Sequence, residues 1–246
     1  MDPSQDAFGQ IILASFEGRP SYEVVERDDG FIHALSGSES YYLRGYNNWP
    51  EWQKKAIKFA SGRVLDVGSG GGRVSLYLQE RGHEVTAIDR SPFAVEVCRK
   101  RGVKDARVLS FDRIDVLSAN LFDTVVMYGN NFGLFENHKK AKLLLKKLHK
   151  LTTPTALIIA ESRDSTATND PVHLAYQKRN RKRGRMSGQS RARIRFRQFI
   201  GPWFDYLMVS KNEMKEVLKG TGWGVTRFID SDVSKYIAII EKTSRA

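Results

Sequence analysis

Between Arg63 and Ala160, short runs of β-branched residues alternate with helix-length amphipathic stretches, and few folds accept that alternation. Strands interleaved with helices build a mostly parallel sheet covered by helices. Residues 63–67 read as the first strand, and residues 73–81 as a helix with Val74, Tyr77 and Leu78 on one face. Residues 84–88 form the next strand. Ser91-Pro92 then opens a helix, because the hydroxyl caps free N–H groups and proline presets φ at the first helical position; Gly102 stops it. Residues 106–109, 122–127 and 155–160 supply three further strands. The helix over 136–151 turns Ala141, Leu144, Leu145 and Leu148 inward and its lysines outward. Ser210-Lys-Asn-Glu213 is a capping box for a helix ending near Gly220. Two last strands, 225–229 and 235–241, lie too close in sequence for a helical crossover, so the final strand runs against the others.

The first strand ends in Gly68-Ser-Gly-Gly-Gly72, and glycines at 68, 70 and 72 let the backbone turn with φ > 0 and approach a ligand closely. A dinucleotide fingerprint needs glycine at 73, where this chain has Arg73. No Lys-Ser/Thr follows the loop, which excludes a nucleotide-triphosphate P-loop.

Asp66-Val-Gly-Ser-Gly-Gly-Gly72 resembles motif I, D-x-G-x-G-x-G, of class I S-adenosylmethionine-dependent methyltransferases, and the stretch Phe122-Asp-Thr-Val-Val-Met-Tyr-Gly129 resembles their motif IV. The resemblance covers residues 60–160 by motif and 210–243 by pattern, and its surroundings look like a bacterial or archaeal branch. It implies an α/β, doubly wound, seven-stranded, mostly parallel sheet with an antiparallel last strand. To that core the chain adds a helical and aromatic N-terminal segment and a β-hairpin lid. The expected division is a cap over 1–60, a core over 61–162 and 210–246, and a basic insertion over 163–209. The resemblance also implies S-adenosylmethionine as cofactor, held by Asp66, Gly68, Gly70, Gly72, Asp89, Arg90, Phe111, Asp112 and Tyr128. Asp89 would take the ribose hydroxyls, since an ionised carboxylate is acceptor-only, and Asp112 the adenine amino group.

Methyl transfer from a sulfonium is an in-line displacement that depends on alignment and dryness more than on a base, so no catalytic residue is assigned. Asn130 and Asn131 follow the fourth strand, where they either contact the acceptor or shape a turn closed by Gly133. Glu161 and Arg163, ending the fifth strand, are candidate acceptor contacts. The chain lacks the Asn- or Asp-Pro-Pro-Tyr of enzymes that methylate exocyclic amines on bases. It also lacks a nucleophilic cysteine after the fourth strand; Cys98 reads as a buried small hydrophobe. The histidines have no metal-ligand spacing, and no metal is expected; His173 is a candidate base.

Charge narrows the partner. Of the net +12, residues 163–197 carry +9, from eleven Lys or Arg against Asp164 and Asp170. Arg191-Ala-Arg-Ile-Arg-Phe-Arg197 alternates with period two, which predicts a strand with one apolar and one basic face, pairing back over 203–209. Its arginines are a solvated face, a site for a small anion, or a nucleic-acid surface over 177–197. The expected acceptor is a small, anionic molecule. The alternatives are RNA or DNA docked through the insertion, and a binding protein without turnover. A single cysteine, no apolar run of eighteen residues and an acid-rich N-terminus predict a cytoplasmic protein without a membrane span.

Overall fold

The computed structural model describes residues 2–35, 38–117, 121–231 and 233–243. In chain order its strands are β1 (Glu23–Arg27), β2 (Ile32–Leu35), β3 (Arg63–Val67), β4 (Glu84–Asp89), β5 (Ala106–Val108), β6 (Phe122–Met127), β7 (Thr152–Arg163), β8 (Gln189–Phe196), β9 (Phe199–Ile200), β10 (Phe204–Leu207), β11 (Trp223–Asp230) and β12 (Lys235–Lys242). The α-helices are α1 (Ala7–Phe16), α2 (Ser38–Leu43), α3 (Glu51–Ile57), α4 (Arg73–Glu80), α5 (Pro92–Lys100), α6 (His138–Leu151), α7 (Pro171–Lys182) and α8 (Lys211–Leu218). The sheet expected from the alternation is seven-stranded, in the order β11-β12-β7-β6-β3-β4-β5. β12 runs antiparallel to both β7 and β11, as its short connection required.

The chain divides into two compact units. Unit 1 comprises residues 1–50, 63–113 and 191–204. Its β3, β4 and β5 pair in parallel, and Val64, Leu65, Val67, Ala87 and Ile88 are buried on them. Ala87, Val95, Cys98, Val103 and Ala106 form one apolar cluster that fixes α5 to the strands. Of these, Val95 and Val103 each contribute about 1.5–3 kcal/mol by burial. The Ser91 hydroxyl accepts from Ala94 N–H and Pro92 takes the first helical position, so the helix starts where sequence placed it. Asp6 caps α1 through Gly9 N–H and accepts from the Ser91 hydroxyl at 2.7 Å, which docks α1 on the start of α5.

The N-terminal segment, expected mainly helical and irregular, also supplies a hairpin: β1 and β2 pair around a turn in which Gly30 has φ +88°. β1 further pairs with β8, in a second sheet of order β10-β8-β1-β2 with β9 on β8. The period-two reading of β8 holds. Ala192, Ile194 and Phe196 are buried, and Ile194 and Phe196 pack on Ala7, Ile11 and Ala14 of α1. The partner strand expected over 203–209 is β10.

Unit 2 comprises residues 51–62, 114–190 and 205–246. β6 and β7 pair in parallel, and α6 buries Ala141, Leu144, Leu145, Leu148 and Leu151 with its lysines turned away. The capping box at Ser210 and Glu213 forms in both directions. Helix α7 was not expected within the basic run, although Asp170 caps it and Pro171 starts it by the same chemistry as Ser91-Pro92. No helix among the described residues is long and apolar enough to cross a membrane.

Candidate functional site

In unit 1, β3 delivers the chain into a loop where Gly68, Gly70 and Gly72 have φ of +70°, +54° and +77°. The Gly68 and Ser69 N–H groups both donate to Ile88 O, at 2.9 and 3.1 Å, which pins the loop to the end of β4. Asp89 completes the cradle: one carboxylate oxygen accepts from Gly70 N–H at 3.0 Å and the other from Ser91 N–H at 2.9 Å. Burial pushes its carboxyl above the ordinary carboxylate range, and the two backbone donors oppose that. A Cβ on Gly70 would lie in ordinary van der Waals contact with Ile12 and Tyr42, at 3.7 and 3.8 Å, so the positive φ and not crowding is what asks for glycine there. On Gly72 it would come within 2.8 Å of Val103.

Asp66 lies beneath the loop, 2% exposed, and accepts from the Ser75 hydroxyl at 2.6 Å; burial raises its carboxyl to about 6. Phe111 is buried and Asp112 exposed at the start of a 3-10 turn, and Arg90 is exposed with its guanidinium over the Phe204 ring. The Cys98 thiol donates to Gly70 O at 3.0 Å and is pushed up to about 12 by burial, which makes it a poor nucleophile.

One residue of this neighbourhood escaped the sequence analysis. Arg73 is 7% exposed, lies over the rings of Tyr41 and Trp49 at 4.5 and 4.7 Å, and donates to the Tyr41 hydroxyl at 3.0 Å. The signal was present as an arginine directly after the last loop glycine, and it served only to exclude the dinucleotide fingerprint.

In unit 2, β6 runs into Tyr128, whose buried hydroxyl donates to Gln53 O at 2.8 Å. Gly129 and Asn130 follow with φ of +76° and +62°, two consecutive left-handed residues. Glu161, wholly buried on β7, holds that turn: one oxygen accepts from Gly129 N–H at 2.9 Å and from the Gln53 amide at 2.8 Å. Its other oxygen and Asn130 Oδ1 are buried acceptors without a hydrogen-bond partner among the described residues. The Tyr206 hydroxyl donates to Asn130 O at 2.7 Å, and its ring lies where a Gly133 Cβ would be, 2.3 Å away. Asn131 starts a 3-10 turn, and Arg163 is exposed at the end of β7. Glu161, Gly129 and Asn130 meet in this turn together with Gln53 and Tyr206, which sequence reasoning missed. Gln53, a fully buried amide on α3, had no motif to mark it.

A left-handed glycine loop closed by a buried carboxylate, on a seven-stranded sheet with a reversed strand, makes the chain similar to the class I, Rossmann-like methyltransferases and supports S-adenosylmethionine as its cofactor. Residues 64–155 match the family model described as a methyltransferase domain. A S-adenosylmethionine-dependent methyltransferase from Bacteroides fragilis, solved with S-adenosyl-L-homocysteine, is 26% identical with a TM-score of 0.84, over 99% of this chain and 98% of that one. The tRNA (uracil(54)-C(5))-methyltransferase of Pyrococcus horikoshii is 29% identical over 161 residues, 63% of this chain and 37% of that protein. A ubiquinone biosynthesis O-methyltransferase of Xanthomonas euvesicatoria is 40% identical over 80 residues, 30% of this chain and 34% of that protein. The chain therefore spans only about a third of the length of these two relatives.

Proposed function

We propose that the protein transfers a methyl group from S-adenosylmethionine to a small, anionic molecule. Bound S-adenosylmethionine supplies a methyl group already activated by its sulfonium, so the protein's task is alignment and exclusion of water. The observation that carries the donor half is the Asp89 cradle. Each oxygen takes one backbone N–H and keeps a further lone pair, as two ribose hydroxyls would require. Gly68, Gly70 and Gly72, all at positive φ, would turn the loop backbone toward that ligand, and Phe111, Asp112 and Arg90 would flank its base. Asp66 would act from below, bracing the start of α4 through Ser75.

On the acceptor side, Asn130 and Asn131 would offer amides and the exposed Arg163 a planar cation suited to a carboxylate or phosphate. Tyr128, proposed as a donor contact, spends its hydroxyl on Gln53 O and would contribute its ring. Glu161 is wholly buried, so its proposed part is that of a positioning residue that works through Gly129 and Asn130. The test is to supply tritiated methyl donor together with a metabolite pool split by anion exchange, and separately with bulk RNA. Label is expected in the low-mass anionic fraction; label confined to neutral or cationic compounds, or to RNA, rejects this acceptor class.

A further inference from the structure

The basic run separates into two structurally different halves. On β8, in unit 1, Arg193 makes a two-pronged pair with Glu26 at 2.9 Å and stacks over Trp203, and Arg195 reaches the same carboxylate at 3.3 Å. Glu26 is thus shared by two guanidiniums, and Arg193 is held by both the ion pair and the Trp203 ring. In unit 2, residues 171–185 contain Lys178, Arg179, Arg181, Lys182, Arg183 and Arg185 and no acidic residue. Lys178, Arg181, Lys182 and Arg183 are exposed.

We propose that the exposed face of α7 is a docking surface for the phosphate backbone of single-stranded RNA, whichever molecule the enzyme methylates. Arg181 and Lys182 stand three and four residues after Lys178, so the stem of Lys178 has both as neighbours about 5–6 Å away, and like charges so placed destabilise an isolated helix. The opposite face holds the helix in place regardless. The Gln177 amide donates to Ser165 O at 2.6 Å, and the Asn180 amide to Ser187 O and Gln189 O at 3.1 and 2.7 Å. Asp170 is committed to capping Val172 N–H and lies about 16 Å along the axis from Arg181, too far to neutralise it.

Cations spread over more than one turn, on a convex helix, match a repeating charge better than a single anion in a pocket. A flexible strand can follow that surface. A lipid surface fits less well, because the exposed apolar residues Val172 and Leu174 are two positions apart and do not share a helix face.

The test is fluorescence anisotropy with a labelled oligo-uridine of about 20 nucleotides at 50 and 200 mM salt. Four cations each neutralising one phosphate give a log–log salt slope of about −3, and hence roughly fiftyfold weaker binding at the higher salt. The combined variant Lys178→Gln, Arg181→Gln, Lys182→Gln, Arg183→Gln should flatten the slope while still binding S-adenosylhomocysteine. If that variant fails to fold, the pair Arg181→Gln, Lys182→Gln should still halve the slope. Arg193→Gln should leave it unchanged. The proposal is overturned by no RNA binding at 50 mM salt, by binding that ignores the α7 changes, or by tighter binding to duplex DNA or phosphatidylglycerol vesicles than to the oligonucleotide.

Discussion

Two loops of this molecule share one construction, a left-handed glycine whose N–H is held by a buried carboxylate, yet they differ in how their parts are gathered. In the proposed donor loop of unit 1, Asp89 reaches Gly70 across 19 residues of one strand–helix–strand segment. In the loop of unit 2, Glu161 reaches Gly129 across 32 residues and Gln53 across 108. Asp89 divides its two donors between two oxygens, whereas Glu161 places both on one oxygen and leaves the other unpartnered among the described residues. The first loop is locally encoded and redundantly braced. The second gathers its Glu161 contacts on one oxygen, with the Tyr206 hydroxyl as a further brace on Asn130 O, so it should be the more sensitive to loss of that carboxylate.

The largest effect should therefore come from Glu161→Ala, which leaves the Gly129 N–H and the Gln53 amide buried without an acceptor. A loss of about 4 kcal/mol is expected in urea unfolding, with Glu161→Gln recovering much of it. A loss below about 1 kcal/mol would mean that this loop is as redundantly held as the other. Gly72→Ala tests the donor side. It combines a φ of +77° with a Cβ 2.8 Å from Val103, and should cost about 3 kcal/mol. Unchanged stability would show that the loop relaxes around a side chain.

Asp66 sharpens the comparison through pH. Burial raises its carboxyl from 3.8 to about 6, so the folded chain takes up this proton before the unfolded one as pH falls. The associated stability is fully present below about pH 3.8 and is lost as pH rises through about 6. Asp66→Asn cannot ionise and still offers Ser75 an acceptor. Its stability relative to wild type should rise between about pH 4 and about pH 7 by on the order of 2 kcal/mol. A difference that stays flat with pH would contradict a buried, proton-favouring Asp66. The smallest effect expected is that of Tyr206→Phe, which keeps the ring under Gly133 and removes one hydrogen bond to Asn130 O, at about 1 kcal/mol. A much larger loss would make Tyr206, and not Glu161, the principal brace of that loop.

The same contrast explains what was legible in the sequence. The Asp66–Gly72 loop, Asp89 and the Ser91-Pro92 helix start depend on contacts within a few tens of residues, and periodicity and motif spacing report such contacts. β1 escaped because Glu23-Val-Val-Glu-Arg27 is short and carries three charges, two of which, Glu23 and Arg27, are buried in the fold. Besides the local hairpin with β2, it is paired on its other edge by β8, more than 160 residues later. Gln53 and Tyr206 escaped for the same reason, since each gains its role from a partner on a distant segment. Arg73 and α7 were different failures: their signals were local, and an exclusion rule and a charge count absorbed them.

The most direct test of the account is calorimetric titration of S-adenosylhomocysteine into wild-type protein and into Asp89→Ala. Micromolar binding is expected, weakened by roughly 2 kcal/mol, about thirtyfold, when the carboxylate is removed. Equal binding by the two proteins, or no binding by folded wild type, would contradict the assignment of the Asp89 cradle as the donor site.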